Sequence, residues 1–182
     1  MSSLLQQYRK NVVPALRKEF AIENVMAVPK IEKVTINVGV GRIHKEDQTL
    51  ERISNEIATI TGQRPVMRAA KKSIASFKMR EGAPVGISVT LRGSRMYDFI
   101  DRFINIALPR SKDFRGIEPK NFDANGNLNM GIKESSIFPE LNYENVKDIF
   151  SLQVTVTTTA ESREQGIALL KNLGFPIKKS GS

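Results

Sequence analysis

Apolar residues recur at helical spacing near the beginning of the chain. They stand four positions apart, at Leu4, Tyr8, Val12, Leu16 and Phe20, and this period predicts a helix with one buried face. Pro14 lies inside the stripe, and a proline in a helix removes a hydrogen bond and clashes with the preceding turn. The pattern therefore predicts either a kinked helix or two shorter helices.

Three stretches alternate between apolar and polar residues, which predicts half-buried strands. They are KVTINVGVG at 33–41, GISVTLRG at 86–93 and SLQVTVTTT at 151–159. The face opposite the core would then carry short hydrogen-bonding side chains and one arginine: Thr35, Asn37, Ser88, Thr90, Arg92, Gln153, Thr155 and Thr157. Alternation alone is equally compatible with a solvated surface and with a binding face.

Three further helices are predicted between and after these strands. The first spans Glu46–Thr61 with Gly62 as its stop, the second is capped by Ser94 and ended by Pro109, and the last is closed by Gly174. Strands with one polar face and helices with one apolar face assemble in layers. We therefore predict an α+β fold, with a mainly antiparallel sheet, helices on one face and an open polar face.

Residues 108–148 have no sustained period, yet they contain many large apolar residues, Phe114, Ile117, Phe122, Ile132, Ile137, Phe138, Leu141 and Tyr143. Such a segment is too apolar for a disordered linker. We expect an ordered, loop-rich lobe with hairpin-like turns that forms a contact surface. The predicted organisation is one domain, 1–182, made of an N-terminal helical segment (1–22), a sheet and helix core (34–107 and 149–175), a basic projecting loop (63–86) and the lobe (108–148).

The positive charge is concentrated in the first half of the chain. The formal net charge is +9, and residues 1–92 contain 16 lysines and arginines against 8 acids. The stretch 63–86 has one acid, Glu81, and six basic residues: Arg64, Arg68, Lys71, Lys72, Lys78 and Arg80. A solubilising surface usually mixes both signs. The concentration therefore favours a polyanionic partner, either a nucleic acid or an acidic membrane.

The sequence contains no convincing catalytic or cofactor motif. It has no cysteine and a single histidine, His44, so thiol chemistry and a thiolate zinc site are excluded. Gly39-x-Gly41 lacks the third glycine of a dinucleotide fingerprint, because His44 stands there. We expect no enzyme, no cofactor and no metal.

Four residues match the spacing of a calcium loop, Asp123, Asn125, Asn127 and Glu134. Leu128, however, occupies the position that requires glycine in such a loop, and neither flank has a helical pattern. A tight turn around Asn125-Gly126 is the better interpretation.

Among polyanions, structured RNA fits the pattern best. No predicted helix is strongly basic on one face, as a DNA-recognition helix would be. No apolar run approaches the ~18 residues of a membrane span, and the basic stretch is loop-like rather than an amphipathic helix. The outward strand positions carry no aromatic residues for base stacking. A polar, uncharged face suits phosphate, 2′-hydroxyl and base-edge hydrogen bonds of a folded RNA.

Several long blocks of the chain resemble one family in order and content. They include KIEKVTINVGVG, TGQRPVMRAAKKSIASFKMREGAPVGISVTLRG, RFINIALPRSKDFRGI, FDANGN, GIKESSIFPEL and VTVTTTA. Over nearly its whole length the chain resembles bacterial ribosomal protein number five of the large subunit, a 5S-rRNA-binding family of the central protuberance. The resemblance implies a non-enzymatic, cytoplasmic ribosomal protein that attaches 5S rRNA beside 23S rRNA and other 5S-binding proteins, touches P-site tRNA and bridges to small-subunit protein thirteen.

The resemblance also implies roles for particular residues. The 5S rRNA contacts would be Asn37, Gln63, Arg64, Thr90 and Arg92, with Arg68, Lys71 and Lys72 beside them. A projecting loop at about 73–86 would reach tRNA through Ser76, Lys78, Arg80 and Gly82, and the bridge would use Lys112, Arg115, Phe122 and Asn125. The alternative function is a free-standing regulatory or modifying factor for structured RNA, which would need a cofactor pocket or a catalytic constellation.

Overall fold

The computed structural model describes residues 3–41, 47–73, 80–112, 114–141 and 149–178. These residues form an α+β fold around a five-stranded antiparallel sheet. Its strands are β1 (Ile31–Gly39), β2 (Val66–Ala69), β3 (Pro84–Leu91), β4 (Leu128–Ile132) and β5 (Leu152–Thr158). The order across the sheet is β2-β3-β1-β5-β4, so β2 and β4 are its edges. The predicted fold class is confirmed.

The N-terminal helical segment continues through Pro14 without a break in its helical structure. Helix α1 (Ser3–Gln7) continues into a π-helical turn (Tyr8–Val12) and then into α2 (Val13–Glu19). Pro14 stands in the first turn of α2, where its missing N–H is tolerated. Neither predicted form, a kinked helix or two separate helices, describes this segment fully. The helix is continuous, but the wider π turn interrupts the α-helical hydrogen bonds just before the proline.

Helix α3 (Asp47–Thr61) lies where the helix at 46–61 was predicted. Its apolar residues at helical spacing are buried: Leu50, Ile53, Ile57 and Ile60. Gly62 follows with a φ of 68°, the left-handed conformation that glycine adopts most easily after a helix. The predicted stop is confirmed, and the chain then enters β2 at the sheet edge.

The next helix differs from its prediction at both ends. Helix α4 (Gly93–Arg102) begins one residue before Ser94, and no side-chain cap is formed at Arg92. Ser94 therefore lies within the first turn, and the predicted cap is wrong. Pro109 does not end the helix either, since a π-helical turn (Phe103–Ala107) leads into α5 (Leu108–Arg110). As at Pro14, the π turn comes two residues before the proline and accommodates it.

The lobe at 108–148 is ordered over its described residues and also contributes a strand to the sheet. Edge strand β4 was not predicted, because LNMGI has only five residues and includes an asparagine and a glycine, both of which are depleted in strands. Single 3₁₀ turns cover Pro119–Asn121 and Ser135–Ile137. Most of the large apolar residues are buried, Ile117, Phe122, Ile132, Ile137, Phe138 and Leu141, whereas Tyr143 lies outside the described residues.

The last helix, α6 (Arg163–Asn172), begins after Ser162, whose hydroxyl accepts a hydrogen bond from the Gln165 amide. Leu170 and Leu173 are buried and Ile167 is half-buried, and Gly174, the predicted end of this helix, has a φ of 98°. None of the helices formed by described residues is long and apolar enough to cross a bilayer.

The chain divides into two compact units. Unit 1 comprises Met1–Val34, Arg92–Met130 and Thr155–Ser182, and unit 2 comprises Thr35–Leu91 and Gly131–Val154. In unit 1, α1 packs against α4, and α2 against α6. In unit 2, α3 packs against β3 and β2 pairs with β3. The polar strand residues belong to both units, and those of unit 2 form the larger group.

Candidate nucleic-acid interface

In unit 2, alternate residues of β1 and β3 separate a core face from a polar face. Ile36 and Val38 of β1, like Ile87, Val89 and Leu91 of β3, are buried. The intervening side chains reach solvent: Asn37 and Thr90 are exposed, and Thr35 and Ser88 are half-buried. The polar face predicted from alternation is confirmed for these strands.

Two side chains from outside these strands are held on β3. Arg68 of β2 donates from Nε to the Ser88 hydroxyl at 2.9 Å. Gln63 donates from Nε2 to the Thr90 carbonyl at 3.2 Å. Each bond uses one donor, so the terminal nitrogens of Arg68 and the Oε1 of Gln63 remain available for a ligand.

A buried threonine positions Gln63. The hydroxyl of Thr61 lies 2.7 Å from the Ile57 carbonyl and 3.0 Å from the Gln63 carbonyl. The Gln63 amide in turn lies 3.3 Å from the same hydroxyl. The end of α3 is thereby tied to the segment that carries Gln63, and the side chain is directed toward β3.

In unit 1, Arg92 forms an ion pair with Glu32. The Arg92 Nη1 lies 3.2 Å from the Glu32 Oε1, with side-chain exposures of 57% and 44%. Glu32 is the only acid among the described strand residues, and no pattern in the sequence pointed to it. An acid beside a candidate phosphate-binding arginine opposes polyanion binding but also orients the guanidinium.

The basic stretch presents its described cations to solvent. Arg64, Lys71, Lys72 and Arg80 are exposed, and none of them forms an ion pair with another described residue. Ser76 and Lys78 lie outside the described residues. Uncompensated cations of this kind are suited to phosphate oxygens.

Hydrogen bonds close the base of the projection. The Ala70 amide donates to the Ala83 carbonyl at 2.8 Å, and the Gly82 amide donates to the Ala70 carbonyl at 3.0 Å. The Glu81 amide donates to the Ser73 hydroxyl at 2.9 Å. Gly82 has a φ of 83°, which the turn at this base requires. The two arms of the projection are thus joined as far as Ser73 and Glu81.

The four predicted bridge residues have different environments. Lys112, Arg115 and Asn125 are exposed, but Phe122 is only 4% exposed and pairs with Leu128. Phe122 therefore shapes the core of this lobe and offers no surface to a partner.

The residues with calcium-loop spacing form a turn, and hydrogen bonds within this turn already occupy both carboxylate oxygens of Asp123. One carboxylate oxygen accepts from the Asn125 and Asn127 amides at 3.0 and 2.8 Å, and the other accepts from the Asn127 Nδ2 at 2.8 Å. Desolvation raises the pKa of Asp123, but these hydrogen bonds outweigh it and the net pKa lies below its ordinary value. The described residues contain no cluster of three or more potential metal ligands.

The described residues thus form an α+β protein with an open polar sheet face and exposed cations. The model for the ribosomal L5P family C-terminus matches residues 84–177, and the model for ribosomal protein L5 matches residues 24–80.

Relatives named large ribosomal subunit protein uL5 match along nearly their whole length. The protein of Halothermothrix orenii is 47% identical, covering 98% of this chain and 100% of its own. The corresponding values are 48%, 98% and 100% for Syntrophomonas wolfei, and 49%, 98% and 99% for Geotalea uraniireducens. The chain belongs to the ribosomal protein L5 family, whose members are non-enzymatic structural proteins of the large ribosomal subunit, a cytoplasmic particle in bacteria.

Proposed function

We propose that this protein binds 5S rRNA through the polar face of β1 and β3 and so helps to attach that RNA to the large subunit beside 23S rRNA and other 5S-binding proteins. The observation that carries the proposal is the pair of anchored side chains, Gln63 on Thr90 and Arg68 on Ser88. Side chains held before binding lose less conformational entropy when RNA arrives. The face is therefore prepared for hydrogen bonding to a folded RNA.

Two kinds of contact contribute to RNA binding, one to affinity and the other to selectivity. Exposed Arg64, Lys71 and Lys72 neutralise phosphates, which contributes affinity without selectivity. Asn37, Gln63 and Thr90 supply donors and acceptors to 2′-hydroxyls and base edges, which distinguish one folded RNA from another. Arg92 joins the phosphate contacts when its pairing with Glu32 is exchanged for RNA.

The experiment compares dissociation constants for 5S rRNA and for an unrelated structured RNA of equal length at several salt concentrations. We expect 5S rRNA to bind more tightly by at least about tenfold at moderate salt. Equal affinity for both RNAs, with equal salt slopes, would reduce the face to a nonspecific polyanion surface. A variant in which Ser94 is replaced by alanine is the matched surface control, since Ser94 is exposed and belongs to helix α4 and not to a strand.

We also propose that the basic projecting loop (63–86) and the lobe (108–148) contact different partners. Arg80 and Gly82 at the base, with Ser76 and Lys78, would contact P-site tRNA. Lys112, Arg115 and Asn125 would contribute to the bridge with small-subunit protein thirteen. Support comes from the exposure of Arg80, Lys112, Arg115 and Asn125. Crosslinking in assembled ribosomes tests both assignments: replacing Arg80 with a photoreactive residue should label tRNA, and the same change at Arg115 should label the small-subunit protein.

A further inference from the structure

Methionine is the only source of sulfur chemistry in this protein. The chain contains six methionines and no cysteine, so no thiol competes with the thioethers for an oxidant. Four of the methionines lie among the described residues, Met26, Met67, Met96 and Met130. Met96 and Met130 are buried, Met67 is 46% exposed and Met26 is 81% exposed. Among the described thioethers, that of Met26 is therefore the one most accessible to a small molecule in solution.

The exposure of Met26 is unusual for its residue type. Methionine is flexible and apolar, and it commonly fills gaps in hydrophobic cores. Met96 and Met130 are used in this way. Met26, in contrast, lies in a short 3₁₀ turn of unit 1, beside the equally solvent-exposed Val25.

Hydrogen bonds from two side chains fix the backbone of this turn. Arg17 of α2 donates from Nε to the Ile22 carbonyl at 3.2 Å and from Nη2 to the Glu23 carbonyl at 2.9 Å. The Asn24 Oδ1 then accepts from the Met26 amide at 2.9 Å and caps the turn. Because these bonds hold the backbone in place, the Met26 side chain stays in solvent while the chain is folded.

An exposed thioether reacts with peroxides without first losing a proton. A lone pair of the sulfur attacks one oxygen of a hydroperoxide, so that a sulfur–oxygen bond forms as the oxygen–oxygen bond breaks. The other oxygen takes up the proton and leaves as water or an alcohol. The sulfur is oxidised by two electrons, the peroxide is reduced by two, and the product is methionine sulfoxide.

We propose that Met26 is a reversible oxidation site of the chain before its assembly into the large subunit. The oxidant is a hydroperoxide, and a thiol-dependent methionine sulfoxide reductase restores the thioether. In the restoring step the sulfoxide oxygen leaves as water and two thiols of the reductant become a disulfide. This site is independent of the proposed RNA binding.

The position of Met26 makes the modification compatible with the fold. A sulfoxide is polar, and at Met96 or Met130 it would place an oxygen in the hydrophobic core. At Met26 the added oxygen meets water instead. The folded protein therefore tolerates the oxidised side chain and leaves it within reach of the reductase.

The first test treats the full chain, free of RNA, with hydrogen peroxide and follows each methionine by peptide mass spectrometry. Met26 should gain oxygen at least about tenfold faster than Met96 and Met130, because buried side chains react only when the structure opens locally. Met1 and Met79 lie outside the described residues, and their peptides are read separately. The thermal midpoint should not change when Met26 alone is oxidised. Equal rates at Met26 and the buried methionines, or a lower midpoint, would overturn the proposal.

Two variants separate Met26 from the other partly exposed methionine. Met26→Leu should remove the fastest-reacting site among the described residues, whereas the matched control Met67→Leu should leave the rate at Met26 unchanged. Faster oxidation of Met67 than of Met26 in the wild-type protein would refute the assignment, and this comparison does not depend on the folding of either variant.

The reverse reaction is tested on the oxidised, folded chain. The two methionine sulfoxide reductases, one for each sulfoxide epimer, are added with dithiothreitol as the thiol reductant. The peptide that contains Met26 should lose the added oxygen. A sulfoxide that persists until the protein is unfolded would show that the site is not reversible in the native state.

Discussion

Gly126 and Gly166 are in backbone contact within unit 1. A Cβ on Gly166 would lie 2.7 Å from the Gly126 carbonyl carbon and nearer still to its Cα and oxygen. Gly126 belongs to the turn after Asp123, and Gly166 lies in the first part of α6. Hydrogen bonds hold the turn there, since the Thr158 hydroxyl donates to the Gly126 carbonyl at 3.1 Å and the Thr158 amide donates to the Asn127 Oδ1 at 2.9 Å.

Replacing Gly166 with alanine should destabilise the protein, although the same change in an open helix position stabilises by up to about 1 kcal/mol. The methyl group would overlap backbone that cannot move aside, so we expect the free energy of unfolding to fall by about 1–3 kcal/mol. Denaturant unfolding measures it. Gly131→Ala is the control and should leave stability unchanged or raise it by up to about 1 kcal/mol; equal effects of the two variants would refute the contact.

Asn37→Ala combined with Thr90→Ala tests the polar face. Both side chains are exposed, so the fold should be nearly unaffected. Affinity for 5S rRNA should weaken by about 1–3 kcal/mol, because RNA groups that lose their partners remain desolvated. The readout is a binding titration, with Ser94→Ala as the surface control. Wild-type affinity in a folded double variant would show that these side chains only meet solvent.

Glu32→Gln tests the acid beside Arg92. The exposed ion pair contributes at most about 1 kcal/mol to stability, so the melting midpoint should hardly change. Removing a negative charge next to a phosphate-binding arginine should tighten binding to 5S rRNA and to unrelated RNA alike. The ratio of the two affinities should therefore stay the same. Weaker 5S binding would instead mean that Glu32 orients Arg92 for the complex.

Lys78→Ala combined with Arg80→Ala separates the projection from the face. Each cation that neutralises a phosphate adds about 0.7–0.9 to the slope of log affinity against log salt. If the pair serves tRNA, the 5S slope should stay the same and mutant ribosomes should hold P-site tRNA less firmly. Lys71→Ala with Lys72→Ala is the matched control and should lower the 5S slope. A fall of one to two units for the first pair (about 0.7–0.9 per cation) would assign it to 5S rRNA.

Because of Tyr8, the free energy of unfolding should depend on pH in the alkaline range. Burial raises the pKa of Tyr8 to about 12, with a smaller contribution from Tyr97, and the Tyr8 hydroxyl donates to the Pro29 carbonyl at 3.1 Å. Because the folded pKa exceeds the ordinary 10.0, the contribution to stability is complete below pH 10 and is lost as the pH rises toward about 12.

The variant Tyr8→Phe isolates this effect. The difference in unfolding free energy between wild type and variant should shrink between about pH 10 and 12, since lysines and arginines titrate equally in both. A difference that is constant over this range would show that the Tyr8 phenol is not favoured in its neutral form by folding.

The sequence alone predicted the parts of the fold that depend on local period. Val34, Ile36 and Val38 had to share one face because side chains alternate along a strand, and their burial follows. Edge strand β4 escaped prediction, since five residues with a glycine have little pattern of their own and are held by pairing with β5. The prolines at 14 and 109 signalled an interruption, but the π turns that accommodate them depend on packing around the whole helix.

In the candidate site, too, some features could be predicted from the sequence and others only from the tertiary structure. The alternating pattern predicted that Asn37, Ser88 and Thr90 lie on an open polar face. The concentration of basic residues predicted that Arg64, Lys71 and Lys72 belong to a polyanion-binding stretch. Only the tertiary structure decided that Gln63 reaches Thr90, that Arg68 reaches Ser88 and that Glu32 meets Arg92. A two-residue period determines which face a side chain occupies, but it carries no information about which strand lies alongside. Strand order and register bring distant segments together, and these depend on how the whole core packs.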